Sequence, residues 1–156
     1  MTQSVKSSPE AGQEYAAGCT CLYLRSATRR ATQIYDDHLQ AAGLTLSQYS
    51  LLSMLSRHSG VSVSRFAEIM SMDRTTLTRN LQPLQAAGWL AVAAAGRSRA
   101  LALSAAGEAK MLEGFPLWRA AQSKINELLG VQTQRELHRS LKASIRSLEN
   151  RQAPSA

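Results

Sequence analysis

Acidic residues are scarce in this chain. Eleven Asp and Glu stand against eighteen Lys and Arg, giving a formal net charge of +7 and a pI of about 10.0. That balance favours a polyanionic partner. Fourteen of the eighteen basic residues are arginine, whose planar guanidinium fork binds phosphates and base edges bidentately. No apolar run approaches the roughly 20 residues of a membrane span, so no membrane partner is expected. There are only two cysteines, Cys19 and Cys21. They make no metal site alone, and His38, His58 and His138 show no ligand spacing, so neither metal nor cofactor is expected. No phosphate loop and no matched nucleophile–base set is present, so no catalytic residues are assigned and the chain does not read as an enzyme. The start, MTQSVKSSPEAGQE, lacks the basic-then-apolar order of a signal peptide, and a cytoplasmic location follows. Residues 1–13 read as a disordered tail.

What is present is a stretch from Val61 to Ser104 that reads as two short helices, a tight turn and a β-hairpin. The first helix, about Ser62–Met70, gathers Val63, Phe66, Ala67 and Met70 on one face. Ser71 is expected to cap the next helix, with Asp73 in its first turn, where negative charge suits the helix dipole. That second helix buries Leu77, Leu81 and Leu84. At about 100° per residue, Thr75, Arg79 and Gln82 fall opposite Leu77, flanked by Arg74 and Thr76. A face of Thr, Arg and Gln suits the DNA major groove: Arg reaches guanine, Gln reaches adenine, and Thr contacts phosphate or a thymine methyl. Pro83 removes one donor and predicts a bend near Arg79 without a stop. Gly88 ends the helix in a left-handed cap. Two strands, Trp89–Ala93 and Ala100–Ser104, are joined by Ala94-Ala95-Gly96-Arg97-Ser98-Arg99, a loop suited to probing the minor groove or phosphate.

This order is a winged helix-turn-helix. The blocks "MDRTTLTRNLQPLQAAGWL", an arginine-bearing wing, "LALSAAGEA" and, upstream, "GLTLSQYSLLSML" resemble the MarR family of bacterial transcription regulators over roughly residues 15–150. The resemblance implies a triangular homodimer, mainly α with a small β-hairpin wing, and a ligand pocket between the dimerisation helices and the winged domain. Many family members brace a wing arginine with an acidic residue. Here that region is Ala94-Ala95-Gly96, which leaves open whether Arg97 or Arg99 enters the groove.

The flanks fit one domain over residues 14–151, with a winged core at about 44–104 and dimerisation helices at about 15–42 and 104–150. The first helix should run from Tyr15 to Ala42, closed by Gly43. The next, Ser47–His58, turns Leu51, Leu52, Met54 and Leu55 inward. After the wing, Ser104 caps a helix to about Leu129, with Gly114 and Pro116 predicting a kink near Phe115. Thr133 is expected to cap a last helix to about Asn150, striped by Leu137, Leu141, Ile145 and Leu148. These ends carry more apolar surface than the winged core can cover, which favours a dimer over packing within one chain. A two-fold dimer reads two half-sites about one helical turn apart, that is, a pseudo-palindromic operator in double-stranded DNA.

A regulator of this type needs an input. Residues i and i+2 of a helix point about 200° apart, which disfavours a disulfide between Cys19 and Cys21. In the hydroperoxide-sensing branch of the MarR family a reactive cysteine lies on the first helix, and counting back from Gly43-Leu44-Thr45 puts Cys21 at or beside that position. Tyr35 matches a tyrosine that contacts the cysteine there, whereas Arg25 and Leu46 stand where that branch has further tyrosines. Arg25, one turn after Cys21, would favour its thiolate. The competing reading is a free cysteine buried as a small apolar residue. A second input is a small-molecule effector, for which Tyr23, Tyr35, His38, Tyr49 and Trp118 are candidate linings.

The leading reading is therefore a sequence-specific DNA-binding regulator, a homodimeric repressor released by a ligand or by cysteine oxidation. Thr75, Thr76, Arg79 and Gln82 would read bases. Ser64, Arg65 and Arg74 would hold phosphate, and Arg97 or Arg99 would probe the minor groove. The alternatives are an architectural DNA-binding protein with little sequence preference and, more remotely, a thiol-based peroxide-reducing enzyme.

Overall fold

Every helix start in the winged region is set by a side chain that accepts a backbone N–H. The computed structural model describes the backbone over residues 9–95 and 98–150, and side chains over residues 12–91 and 100–150. Thr45 opens α3 (Leu46–Arg57) with a capping box: its hydroxyl accepts from Gln48 N, and the Gln48 side chain accepts from Thr45 N. Ser62 caps α4 (Val63–Ile69), and Ser104 caps α6 (Ala105–Leu129) by accepting from Gly107 N. The cap of α5 (Arg74–Ala86) is Asp73, which accepts from Thr76 N at 2.8 Å. Ser71, expected in that role, instead takes the left-handed conformation, φ 51°, that turns the chain between α4 and α5. Capping needs an extended backbone, and Ser71 spends its conformation on the turn.

Two helices precede this unit. The single helix expected from Tyr15 begins at Pro9 and is divided: α1 is Pro9–Gly18 and α2 is Thr20–Leu39. Cys19 separates them with extended dihedrals, φ −76° and ψ 102°. One 3₁₀ turn, Gln40–Ala42, and left-handed Gly43 then close the arm. Helix α5 continues through Pro83, and α6 through Gly114 and Pro116, each without a break. The last helix, α7 (Val131–Glu149), starts directly after Gly130, which takes a φ of 75°. Thr133, expected as its cap, lies inside it.

The wing is a three-stranded antiparallel sheet, ordered β1-β3-β2, from β1 (Val61–Ser62), β2 (Leu90–Ala95) and β3 (Ser98–Leu103). Its hairpin is longer than expected. Pairing continues from Leu90↔Leu103 to Ala95↔Ser98, so only residues 96–97 connect the strands, where a six-residue loop was anticipated. Strand β1 was not expected, and its second residue, Ser62, was read as the start of the first helix. It pairs Val61↔Leu101, and two residues are too few to show a period of their own.

The core is a leucine cluster closed by Phe66. Leu39, Leu51, Leu52, Leu55, Phe66, Leu77 and Leu84 are fully buried, drawing α2, α3, α4 and α5 together under Leu101 of the wing. Helix α6 lies against this core through its small residues. Gly107, Gly114 and Ala121 recur every seven residues, and all three are buried. A Cβ on Gly107 would overlap the Trp89 carbonyl, and one on Gly114 would come within 2.8 Å of Tyr49 Cδ2 and 2.9 Å of Leu44 Cδ1. Lys110, between them, donates to the Ala42 carbonyl at 3.2 Å and lies 5.6 Å from the Trp89 ring centre. Among the described residues, no helix is long and apolar enough to cross a membrane.

Gly107→Ala should lower stability at the upper end of the roughly 1–3 kcal/mol typical of overpacking, because its obstacle is backbone. Gly114→Ala should lower it less, since Tyr49 and Leu44 side chains can move. Thermal melts of the two variants check this ranking, and a Gly107→Ala protein as stable as its parent would refute the close approach of α6 to Trp89.

Candidate nucleic-acid interface and sensing residues

Helix α5 is buried on one side only. Leu77, Leu81 and Leu84 face the core, and the period of 3.6 then leaves Arg74, Thr75, Thr78, Arg79 and Gln82 exposed on the other. These five line one shallow depression of about 360 Å³. Four were expected from the sequence. Thr78 was missed, although its i+3 spacing from Thr75 places it on the same face. Its hydroxyl donates to the Arg74 carbonyl at 2.7 Å, which leaves the methyl as the group it can present outward. Thr76 is half-buried beside the cap and does not line the depression.

Asp73 holds the helix N-terminus, and the bond from Thr76 lowers its carboxyl pKa. The cap's contribution is therefore fully present above the ordinary Asp value and lost as pH falls through the lowered one. Pro83 has no N–H, so the Arg79 carbonyl lacks its usual i+4 partner. On α4, Ser64 and Arg65 are exposed, and Arg65 Nη1 pairs with Glu68 Oε2 at 2.7 Å. An exposed pair of this kind is weak enough for phosphate to compete. Arg97 lies outside the described residues. Arg99 belongs to β3, paired with Ala94, but its side chain is also outside them.

The two cysteines are placed unequally. Cys21 is exposed within α2, as is Arg25 one turn later. Cys19 is half-buried at the α1–α2 break. The backbone N–H of Leu22 and the Tyr15 hydroxyl hold its thiol pKa below the usual value, as expected at a helix N-terminus. Cys19 lies outside α2, so the 200° separation of residues i and i+2 on one helix does not apply to Cys19 and Cys21. Tyr35 is not brought to Cys21 within the chain. Fourteen residues of one helix separate them by about 21 Å, and Tyr35 donates to Gln122 Oε1 at 2.6 Å. Gln122 in turn donates to Asn126 Oδ1, tying α2 to α6.

Of the five candidate effector contacts, two meet. Tyr49 and Trp118 stack at 6.2 Å, Trp118 and Phe115 do likewise, and all three line a cavity of about 330 Å³ between α3 and α6, together with Met54 and Arg57. Burial raises the Tyr49 pKa, while Arg57 opposes that shift. Tyr23 is exposed on α2, and Tyr35 and His38 lie elsewhere.

A capped recognition helix, presented by a helix-turn-helix and flanked by a β-wing, defines a winged helix-turn-helix DNA-binding protein. A MarR family model matches residues 42–100. The transcriptional regulator MosR of M. tuberculosis is 33% identical, with 81% of this chain and 96% of that chain covered, at a TM-score of 0.69. Its structure in complex with DNA gives 32% identity, 83% and 98% coverage, and a TM-score of 0.70. A MarR family protein of Mycobacterium tuberculosis in complex with salicylic acid is 28% identical, with 80% and 94% coverage and a TM-score of 0.61. No curated protein sequence matches the chain significantly. The chain belongs to the MarR family and is a DNA-binding transcriptional regulator.

In a Cys21→Ser protein, alkylation of Cys19 by iodoacetamide should reach half its maximal rate at a pH below the ordinary thiol value of about 8.5, and Tyr15→Phe should move that midpoint upward. A midpoint at or above the free-cysteine value would show that Leu22 and Tyr15 do not favour the thiolate.

Proposed function

We propose that this protein is a homodimeric repressor that reads a pseudo-palindromic operator and is released by a small-molecule effector or by thiol oxidation. The observation that carries the DNA reading is the exposed depression on α5, where two arginines, two threonines and a glutamine converge without a carboxylate. Arg79 and Gln82 suit base edges, Thr75 suits phosphate or a thymine methyl, the Thr78 methyl suits a thymine methyl, and Arg74 suits the backbone at the helix start. Ser64 and Arg65 of the preceding helix extend the phosphate contact, and Arg97 or Arg99 of the wing reaches the minor groove.

The dimer is supported by apolar side chains that the chain leaves largely open. Tyr15, Leu22 and Leu24 on the first two helices, and Leu128, Ile145 and Leu148 on the last two, are all exposed. Helix α7 has no buried residue at all. An amphipathic helix without a partner is unstable in water, so a second copy is the economical cover. Two features support an input. The α3–α6 cavity offers stacked aromatic faces and one cation, chemistry suited to an aromatic anion. Cys19 offers a thiol with lowered pKa at the joint of the arm, suited to reversible oxidation. Either event would act by changing the spacing or mobility of the two recognition helices.

Binding to the protein's own upstream region, measured beside random DNA of equal length, tests this reading. Arg79→Ala should cost about 1–3 kcal/mol on the specific site and relax sequence preference, whereas Arg97→Ala should weaken both DNAs more evenly. A specific-to-random ratio near one would point instead to an architectural DNA-binding protein. Hydroperoxide that lowers affinity in the parent but not in a Cys19→Ser, Cys21→Ser protein would establish the thiol input, and indifference to peroxide would remove it.

A further inference from the structure

Helix α7 is held to the rest of the chain at very few points. Among its residues Gln134 and Leu141 are half-buried, and the others are exposed. A Cβ added to Gly130, the residue before it, would meet nothing within 4 Å among the described residues. Sterics therefore leave this elbow free, and another interaction must set the angle between α6 and α7.

A chain of four polar side chains crosses the elbow. Tyr35 of α2 donates to Gln122 Oε1 of α6 at 2.6 Å. Gln122 Nε2 donates to Asn126 Oδ1 at 2.8 Å, one turn further along α6. Gln134 Nε2 of α7 donates to the same oxygen at 2.5 Å. All three bonds are partly buried, and they converge on Asn126 Oδ1. Asn126 also marks the end of α6, where its carbonyl accepts from Gly130 N at 2.9 Å. The arm, α6 and α7 are thereby tied together through one oxygen.

These helices carry much of the apolar surface assigned above to a second copy, so their mutual angle sets where that copy sits. The lever is long. Helix α7 has 19 residues, and at about 1.5 Å each it spans about 28 Å. A turn of about 10° at its start swings its far end by about 5 Å, more than the roughly 3.4 Å between base pairs. Ile145 and Leu148 lie toward that far end, 51% and 63% exposed.

We infer that the Tyr35–Gln122–Asn126–Gln134 chain positions the dimer: it fixes the angle between α6 and α7 and so selects operator half-sites at one separation. This rests on the dimeric operator reading above. Asn126 is the central positioning residue and acts through α7. The direction of the bonds separates this role from simple packing. Asn126→Asp keeps the acceptor oxygen, whereas Asn126→Leu keeps the shape and removes it. Gln134→Glu replaces the donor by an acceptor, so that two oxygens face each other. Helix-dipole effects run the opposite way. A carboxylate is unfavourable in the last turn of α6 and favourable in the first turn of α7. Stability and spacing selectivity are therefore expected to part company.

Fluorescence anisotropy with the full chain tests this. The probes carry the half-site footprinted in the protein's own upstream region. It is presented as a single copy, as an inverted pair at its natural separation, and as that pair with two base pairs inserted. The parent should bind the natural pair about tenfold or more tighter than the expanded one. Asn126→Asp should keep that ratio. Asn126→Leu and Gln134→Glu should bring it within about threefold, with affinity for the single half-site unchanged. A Gln134→Glu protein that keeps the parent's ratio, or an Asn126→Asp protein that loses it, overturns the positioning role and leaves the dimer reading in place. A parent that binds the natural pair no tighter than the single copy overturns the dimeric operator reading itself.

Discussion

The burial of one side of α5 is the constraint on which the DNA-reading surface depends. Leu77, Leu81 and Leu84 are pressed into the cluster formed by Leu51, Leu52, Leu55 and Phe66. A helix fixed along one stripe has no rotational freedom left, and its opposite stripe must face outward. That geometry presents Arg74, Thr75, Thr78, Arg79 and Gln82 together. The ends of the helix are defined with equal economy. Asp73 satisfies an N-terminal donor, and left-handed Gly88 turns the chain into β2 immediately after the last turn. The wing is thereby placed beside the recognition helix, and both are anchored in the same leucine core through Leu101.

Helix α6 makes the second essential connection. Its N-terminus is tied to the wing, since the Ser104 hydroxyl donates to the Gly88 carbonyl at 2.6 Å. Its small-residue stripe then lets it approach Trp89 and Tyr49 closely, and its far half packs against α2, where Tyr35 meets Gln122. On the other side of the junction, Asp36 of α2 accepts from Leu46 N at 2.6 Å, capping the arm onto the start of α3. The arm and the DNA-reading lobe are thus joined by packed helices and short polar links, with little slack. Helix α3 packs on both α5 and α6, so a displacement of α6 along that seam is felt by α5. Glycine at 107 and 114 serves this coupling, because any larger residue would hold α6 away from the lobe.

The exposed apolar residues fall into two groups with different meanings. Those near the chain ends, on α1, α2 and α7, have the amount and arrangement expected of a surface shared with a second copy. Leu112 and Phe115 lie mid-helix beside the cavities between α3 and α6. The distinction is invisible in a list of hydrophobic residues, since all of them satisfy the helical period equally well.

The recognition face of α5 was legible in the sequence because helical periodicity is local: seven or eight residues suffice to separate Leu77 and Leu81 from Arg79 and Gln82. The cap at Ser104 and the helix-ending Gly43 and Gly88 were legible for the same reason, as each acts within one turn. Thr78 was overlooked although its register was available. What only the tertiary structure decided were features set by distant partners or by competition between neighbours. The pairing of Val61 with Leu101 makes β1 and extends the hairpin to Ala95 and Ser98, and no local pattern encodes a partner forty residues away. Ser71 and Asp73 are both good caps, and the turn between α4 and α5 assigns the role by taking Ser71 into the left-handed region. The break at Cys19 puts its thiol at a helix start, where the Leu22 N–H favours the thiolate. Tyr35 proves to be a link to Gln122 within the chain, because its neighbours are chosen by how α2 packs on α6. Periodicity determines which side of a helix is buried, and packing alone determines what it is buried against.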